Sequence, residues 1–66
     1  DFRQLQIKQR ITKALIAGEE ITTAMLTEEF QASLKTIGRD IKEINEKFGM
    51  NFAIKQKSGV IFEEWK

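Results

Sequence analysis

Apolar residues return at helical intervals through the first three-quarters of the chain and at alternate positions through the last quarter. Between Phe2 and Ala17, Ile7, Ile11, Ala14 and Leu15 recur at steps of three and four, and Gly18 follows. That is the pattern of a helix with one buried stripe, closed by a glycine at its C-terminal end. Leu5, Thr12 and Ile16 form a second stripe, about 120° round from Ile11. With Phe2, this stripe either covers the hairpin as ordinary core, the expected arrangement, or makes a seam between two copies. Ile21 sits in a short segment expected to be extended, and it leads into Thr22-Thr23-Ala24-Met25-Leu26. Either threonine can cap a second helix, whose inner face is Leu26 and Phe30. Ser33 is a good N-cap for the clearest pattern in the chain. There Leu34, Ile37, Ile41, Ile44 and Phe48 run at steps of three, four, three and four up to Gly49.

Beyond Gly49 the period changes to two. Phe52, Ile54 and Gln56 alternate with Ala53, Lys55 and Lys57, and Val60, Phe62 and Glu64 alternate with Ile61, Glu63 and Trp65. Alternation on both sides of Lys57-Ser58-Gly59 reads as a β-hairpin. A three-residue loop with Gly59 in the left-handed conformation pairs Gln56 with Val60 and Ile54 with Phe62. That register gathers the large apolar groups of both strands on one face. Trp65 is expected to pack at the end of the last strand. The order is helix, short strand, helix, turn, helix, hairpin.

Composition narrows what such a fold can be for. The 66 residues contain no Cys, no His and no Pro, and 41% are hydrophobic and 32% charged, which is globular usage. Without Cys or His, disulfides and thiolate sites are excluded, a zinc site is not expected, and the usual general base near neutral pH is missing. No cofactor, no metal and no catalytic residue is therefore expected. No apolar run approaches the roughly 20 residues of a membrane span, so no membrane partner is expected either. A small chain without disulfides suits a reducing cytoplasm. A chain that begins with Asp1 rather than Met is expected to be one domain, residues 1–66, cut from a larger protein.

The net charge of +1 hides segregation. Residues 1–18 carry Arg3, Lys8, Arg10 and Lys13 against Asp1, whereas residues 19–30 carry only Glu19, Glu20, Glu28 and Glu29. Residues 31–60 are basic again, with Lys35, Arg39, Lys42, Lys47, Lys55 and Lys57 against Asp40, Glu43 and Glu46. On the third helix, Lys35, Arg39 and Lys42 lie within about 40° of the pole opposite Ile37, with Thr36 on their flank. One such helix fits a B-DNA major groove, where Lys and Arg donate to guanine and Thr meets a phosphate or a thymine methyl. Ser33 and the N–H groups at the helix start suit a phosphate. Lys55 and Lys57 on the hairpin would reach the backbone beside the groove, and Arg10 or Lys13 would add phosphate contacts. The plain alternative is a solvated helix face, with Arg39 paired to Glu43 and Lys42 to Glu46 at i+4. Asp40, on the flank of the helix, is expected to orient a basic side chain or to meet another helix. Gly38, inside the helix, suggests close approach of the backbone to another surface.

Three stretches carry a family resemblance. They are Ile21-Thr22, then Leu26-Thr27-Glu28-Glu29-Phe30, then Ser33-Leu34-Lys35-Thr36-Ile37-Gly38-Arg39-Asp40-Ile41-Lys42-Glu43-Ile44, with the hairpin segment Phe52–Phe62 after them. The arrangement resembles the winged helix-turn-helix domains of the DeoR type and the N-terminal domain of the biotin operon repressor. It is also similar to those preceding WYL domains and in Mga-like regulators. In that family the run reads approximately I-T-x-x-x-L-A-E-x-L-G-V-S-x-R-T-I-x-R-D-I-x-x-L. The resemblance covers roughly residues 7–63. It implies an α+β fold, a three-helix winged helix-turn-helix with a C-terminal β-hairpin wing. It also implies the reading head of a bacterial or phage transcription regulator, in the cytoplasm at the nucleoid. Double-stranded DNA is the implied partner, with a possible second copy and a possible attached effector or oligomerisation domain. Ser33, Lys35, Thr36 and Arg39 fall on the family's recognition-helix contact positions. The chain departs from the family at Gln31 and Ala32, where the turn has glycine and valine. The wing has one glycine and no arginine. Met25 stands where the family has a polar residue, and is expected exposed or against a missing domain. The competing function for the same scaffold is a protein-interaction module with no DNA binding.

Overall fold

Hydroxyl caps and left-handed residues divide the chain where the sequence pattern changes. In the computed structural model, which describes residues 2–64, α1 spans Phe2–Ala17, α2 Thr23–Phe30 and α3 Leu34–Phe48. Strands β1, Phe52–Ile54, and β2, Ile61–Glu63, follow as an antiparallel pair. The three helices and two-stranded sheet form an α+β layout consistent with a winged helix. Of the two candidate caps for α2, Thr22 is the one used, its hydroxyl accepting from the Met25 N–H at 3.2 Å. Ser33 caps α3 by accepting from the Thr36 N–H at 3.2 Å, and Gly49 ends that helix at φ 66°. Asp1, Trp65 and Lys66 lie outside the described residues, and with them the expectation for Trp65.

One core holds the elements together. Ile7, Ile11 and Ala14 of α1, Ile21, Leu26 of α2, Ile37, Ile41 and Ile44 of α3, Phe52 and Ile61 are all buried in it. Each such aliphatic side chain, fully removed from water, contributes about 1.5–3 kcal/mol. Met25 is half-buried against this core, not exposed as its family position suggested. The turn between α2 and α3 closes although it lacks the family's glycine. Gln31 takes φ 51°, ψ 46°, and the Ala32 N–H donates to the Thr27 carbonyl at 3.2 Å. A non-glycine residue held in that left-handed region costs roughly 1–2 kcal/mol.

Further sequence expectations fail at the hairpin and on α1. The hairpin register is offset by one residue: Ile54 pairs with Ile61 and Ala53 with Phe62, rather than Ile54 with Phe62. The loop has four residues, Gln56 to Gly59, since the Lys55 N–H donates to the Val60 carbonyl and the Gly59 N–H to the Lys55 carbonyl. Three- and four-residue loops are both commonly built around a type I turn, so the position of Gly59 did not discriminate. What decides is the other edge of β2. Thr22 bridges Val60, and the Ile61 N–H donates to the Ile21 carbonyl at 2.8 Å. These bonds bring buried Ile61 beside buried Ile21 and leave Phe62 on the half-buried outer face.

Phe2 and Ile16 do not cover the hairpin, being 73% and 82% exposed, whereas Leu5 of the same stripe is half-buried. α1 packs against both α3 and β2, and its outward residues Phe2, Gln6, Gln9, Lys13 and Ile16 stay exposed. The apolar row of α3 is likewise buried only in its middle. Ile37, Ile41 and Ile44 are covered, whereas Leu34 is 62% and Phe48 43% exposed in the first and last turns. The Lys8 ammonium lies 5.1 Å from the centre of the Phe48 ring, a cation–π contact.

Candidate nucleic-acid interface

The face of α3 opposite its buried isoleucines is built by the same periodicity that buries them. With Ile37, Ile41 and Ile44 turned inward, Lys35, Arg39 and Lys42 all remain exposed. Arg39 keeps 71% of its side chain accessible, and its guanidinium stands 3.8 Å from the Glu43 carboxylate at i+4. An exposed pair of that length is worth about 0–1 kcal/mol and exchanges readily for another anion. Ser33 and Thr36 are tied to each other. The Ser33 hydroxyl donates to Thr36 Oγ1 at 2.9 Å while accepting from the Thr36 N–H. Both therefore fix the first turn of α3, with Ser33 exposed and Thr36 half-buried.

Lys55 and Lys57 are exposed at and within the β1–β2 turn. Two sets of bonds fix that hairpin to the helices. Asn45 of α3 uses both ends of its amide on the backbone of Phe52, donating to the carbonyl at 3.0 Å and accepting from the N–H at 3.0 Å. It thereby acts as a short strand partner for the start of β1. At the far end, the Thr23 N–H donates to the Gly59 carbonyl at 3.0 Å. A Cβ on Gly59, which has φ +73°, would stand 2.9 Å from Thr23 Oγ1, so both conformation and close approach require glycine here. The wing is thus anchored to the end of α3 and to the start of α2.

Sequence reasoning foresaw only the Asp40 end of the polar cluster that joins α1 to α3. Asp40 is 1% exposed and accepts from Arg3 Nε at 3.0 Å and from Gln4 Nε2 at 3.4 Å. The same Gln4 amide donates to Glu43 at 3.1 Å, and its oxygen accepts from Lys47 Nζ at 3.1 Å. Asp40 meets another helix and a basic side chain, as its flank position suggested, and Gln4 completes the link. The available signal was Gln4 itself, which extends the stripe of Ile7, Ile11 and Ala14 by one step of three. The cluster ties α1 to the flank of α3, beside its buried isoleucines.

Arg10 is engaged elsewhere, donating to Glu29 of α2 at 3.0 and 3.4 Å. Lys13 is exposed on the outer side of α1, next to Ile16. There Lys8, Gln9, Thr12, Lys13, Ile16 and Ala17 line a shallow, open and mainly apolar hollow. Among the described residues no group of three or more acidic, His or Cys side chains could hold a metal ion, and no helix is long and apolar enough to cross a membrane. No family model, no curated protein and no solved structure matches the chain.

Proposed function

We propose that this chain binds double-stranded DNA sequence-specifically, as the reading head of a bacterial or phage transcription regulator of the winged helix-turn-helix type. In this reading α3 enters the major groove from its N-terminal turns, and the β1–β2 turn lies on the flanking backbone. The observation that carries it is the exposure of Lys35, Arg39 and Lys42 along one face of α3, set directly behind its buried row. Ser33 and Thr36 shape the entering turn, while Lys55 and Lys57 supply the wing with charge. Pairing of two copies across half-sites, attachment to an effector or oligomerisation domain, and a nucleoid location in the cytoplasm belong to the same proposal.

The test is a salt titration of the chain against a fluorescent duplex, followed by anisotropy. With the five exposed cations Lys35, Arg39, Lys42, Lys55 and Lys57 each neutralising a phosphate, log K falls against log salt with a slope of about −4.5. Absence of duplex binding at low salt removes the proposal. The competing reading, a protein-interaction module without DNA binding, is favoured by the uncovered Phe2 and Ile16 on α1. It predicts no such salt response.

A further inference from the structure

Gly38 is a residue for which the fold supplies no reason. Glycine weakens a helix interior, and this one lies in the second turn of α3. Its φ is not among the positive values found at Gly18, Gly49 and Gly59, so no special backbone conformation calls for it. A Cβ built on it meets nothing within 4 Å, so no packed neighbour calls for it either. Whatever profits from the missing side chain lies outside the described residues.

The surroundings narrow what that is. Residues four apart on a helix form one row on its surface, so Leu34, Gly38 and Lys42 stand in line. Leu34 is 62% exposed although it continues the apolar spacing of the buried row. Lys35 and Arg39, both exposed, stand beside Gly38. The surface of α3 therefore has a notch, with the half-buried backbone of Gly38 at its floor, an apolar wall at Leu34 and cations round the rim. A phosphate would satisfy the cations but gain nothing from Leu34. The major groove offers one apolar group on a base edge, the 5-methyl of thymine, and cations beside it reach guanine or phosphate.

We infer that the Leu34–Gly38 notch receives a thymine methyl, with Leu34 packed on the methyl and Gly38 admitting the base edge to the helix backbone. The inference rests on the DNA-binding reading and deepens it, by naming the base that α3 selects without a hydrogen bond.

The experiment enriches duplexes from a random-sequence pool on the full chain. It then replaces each thymine of the enriched duplex, in turn, by deoxyuridine, which lacks only the methyl. One replacement weakens binding by about fourfold, the worth of one buried methyl. In Gly38→Ala the added methyl fills the notch. The thermal midpoint then rises by about 4–8 °C while the thymine-over-uracil preference at that position disappears. Leu34→Ala, altered at an exposed site, loses the same preference. The inference is overturned if no thymine replacement weakens binding, if Gly38→Ala keeps the preference, or if Gly38→Ala lowers the midpoint. Binding that persists without methyl discrimination sinks the inference and leaves the DNA-binding reading standing. Failure to enrich any duplex sinks both.

Discussion

The first and third helices solve the same packing problem and then diverge. Each buries one face at helical spacing, Gln4, Ile7, Ile11 and Ala14 on α1, and Ile37, Asp40, Ile41 and Ile44 on α3. Each row even includes one polar residue, and the two meet, Gln4 Nε2 donating to Asp40 at 3.4 Å. On their outer faces the likeness ends. The back of α3 carries Lys35, Arg39 and Lys42, whereas the back of α1 carries Phe2 and Ile16, 73% and 82% exposed, with Lys13 between them. Core packing dictates the inward rows, so neither outer face is constrained by it. The contrast between a cationic back and an apolar one is therefore not a by-product of core packing.

The largest effects should come from the shared inward rows. Ile44 is fully buried, and Ile44→Ala should lower unfolding free energy by about 2–5 kcal/mol, the range for removing an isoleucine side chain from a packed core. Urea denaturation followed by circular dichroism reads this directly. A loss below 1 kcal/mol, on the order of an exposed-site change, would mean that α3 is not clamped by α1 and α2 in the way its burial implies. Next comes the polar tie between the two rows. Asp40→Ala strips acceptors from Arg3 and Gln4 and should cost about 1–3 kcal/mol. The cost stays moderate because the Arg3 side chain is 40% exposed, so water replaces part of what is lost. The same denaturation curve serves, and an unchanged midpoint would show that the cluster adds nothing to the packing of α1 on α3.

How far these features could be read from sequence follows from their range. Helix starts and stops were legible because they depend on residues three or four apart. Ser33 reaches the Thr36 N–H, and Gly49 takes the left-handed conformation that ends α3. The cationic stripe was legible for the same reason, since Lys35, Arg39 and Lys42 are placed by the periodicity that places Ile37. The hairpin register was not legible. It is settled by the Ile61 N–H reaching Ile21, forty residues away in sequence, while the local loop signal at Gly59 fits two loop lengths. Asn45 reads as a polar position on a helix flank, and nothing near it in sequence shows that its amide meets Phe52. Exposure of Leu34, Phe48 and Ile16 was equally hidden, because periodicity gives the direction of a side chain but not how far its neighbours extend. Whether the exposed cations meet DNA depends on a partner, and the chain's own packing carries no information on that.

The cationic back of α3 should separate binding from folding. Arg39→Ala is expected to weaken binding to an enriched duplex by about 1–3 kcal/mol if the guanidinium reads a base. Folding stability should move by no more than about 0.5 kcal/mol, since the side chain is 71% accessible and its contact to Glu43 is long. Anisotropy at fixed salt and urea denaturation together give both numbers. Equal affinities for the two proteins would take Arg39 out of the interface. A parallel loss of stability would instead make it part of the structural tie between helices.

The apolar back of α1 gives the smallest and most discriminating change. Ile16 has lost little surface to folding, so replacing it removes little burial, and Lys is at least as good a helix former as Ile. The stem of a lysine can lie along the same apolar hollow with its ammonium in water. Ile16→Lys should therefore alter stability by less than about 0.5 kcal/mol, read from thermal midpoints at low and high protein concentration. Within one chain the described residues offer nothing for Ile16 to lose, so a larger drop confined to high concentration would mean that a second copy had been covering this face. A larger drop at every concentration would contradict the exposure itself. The contrast between the two helices would then be one of packing after all.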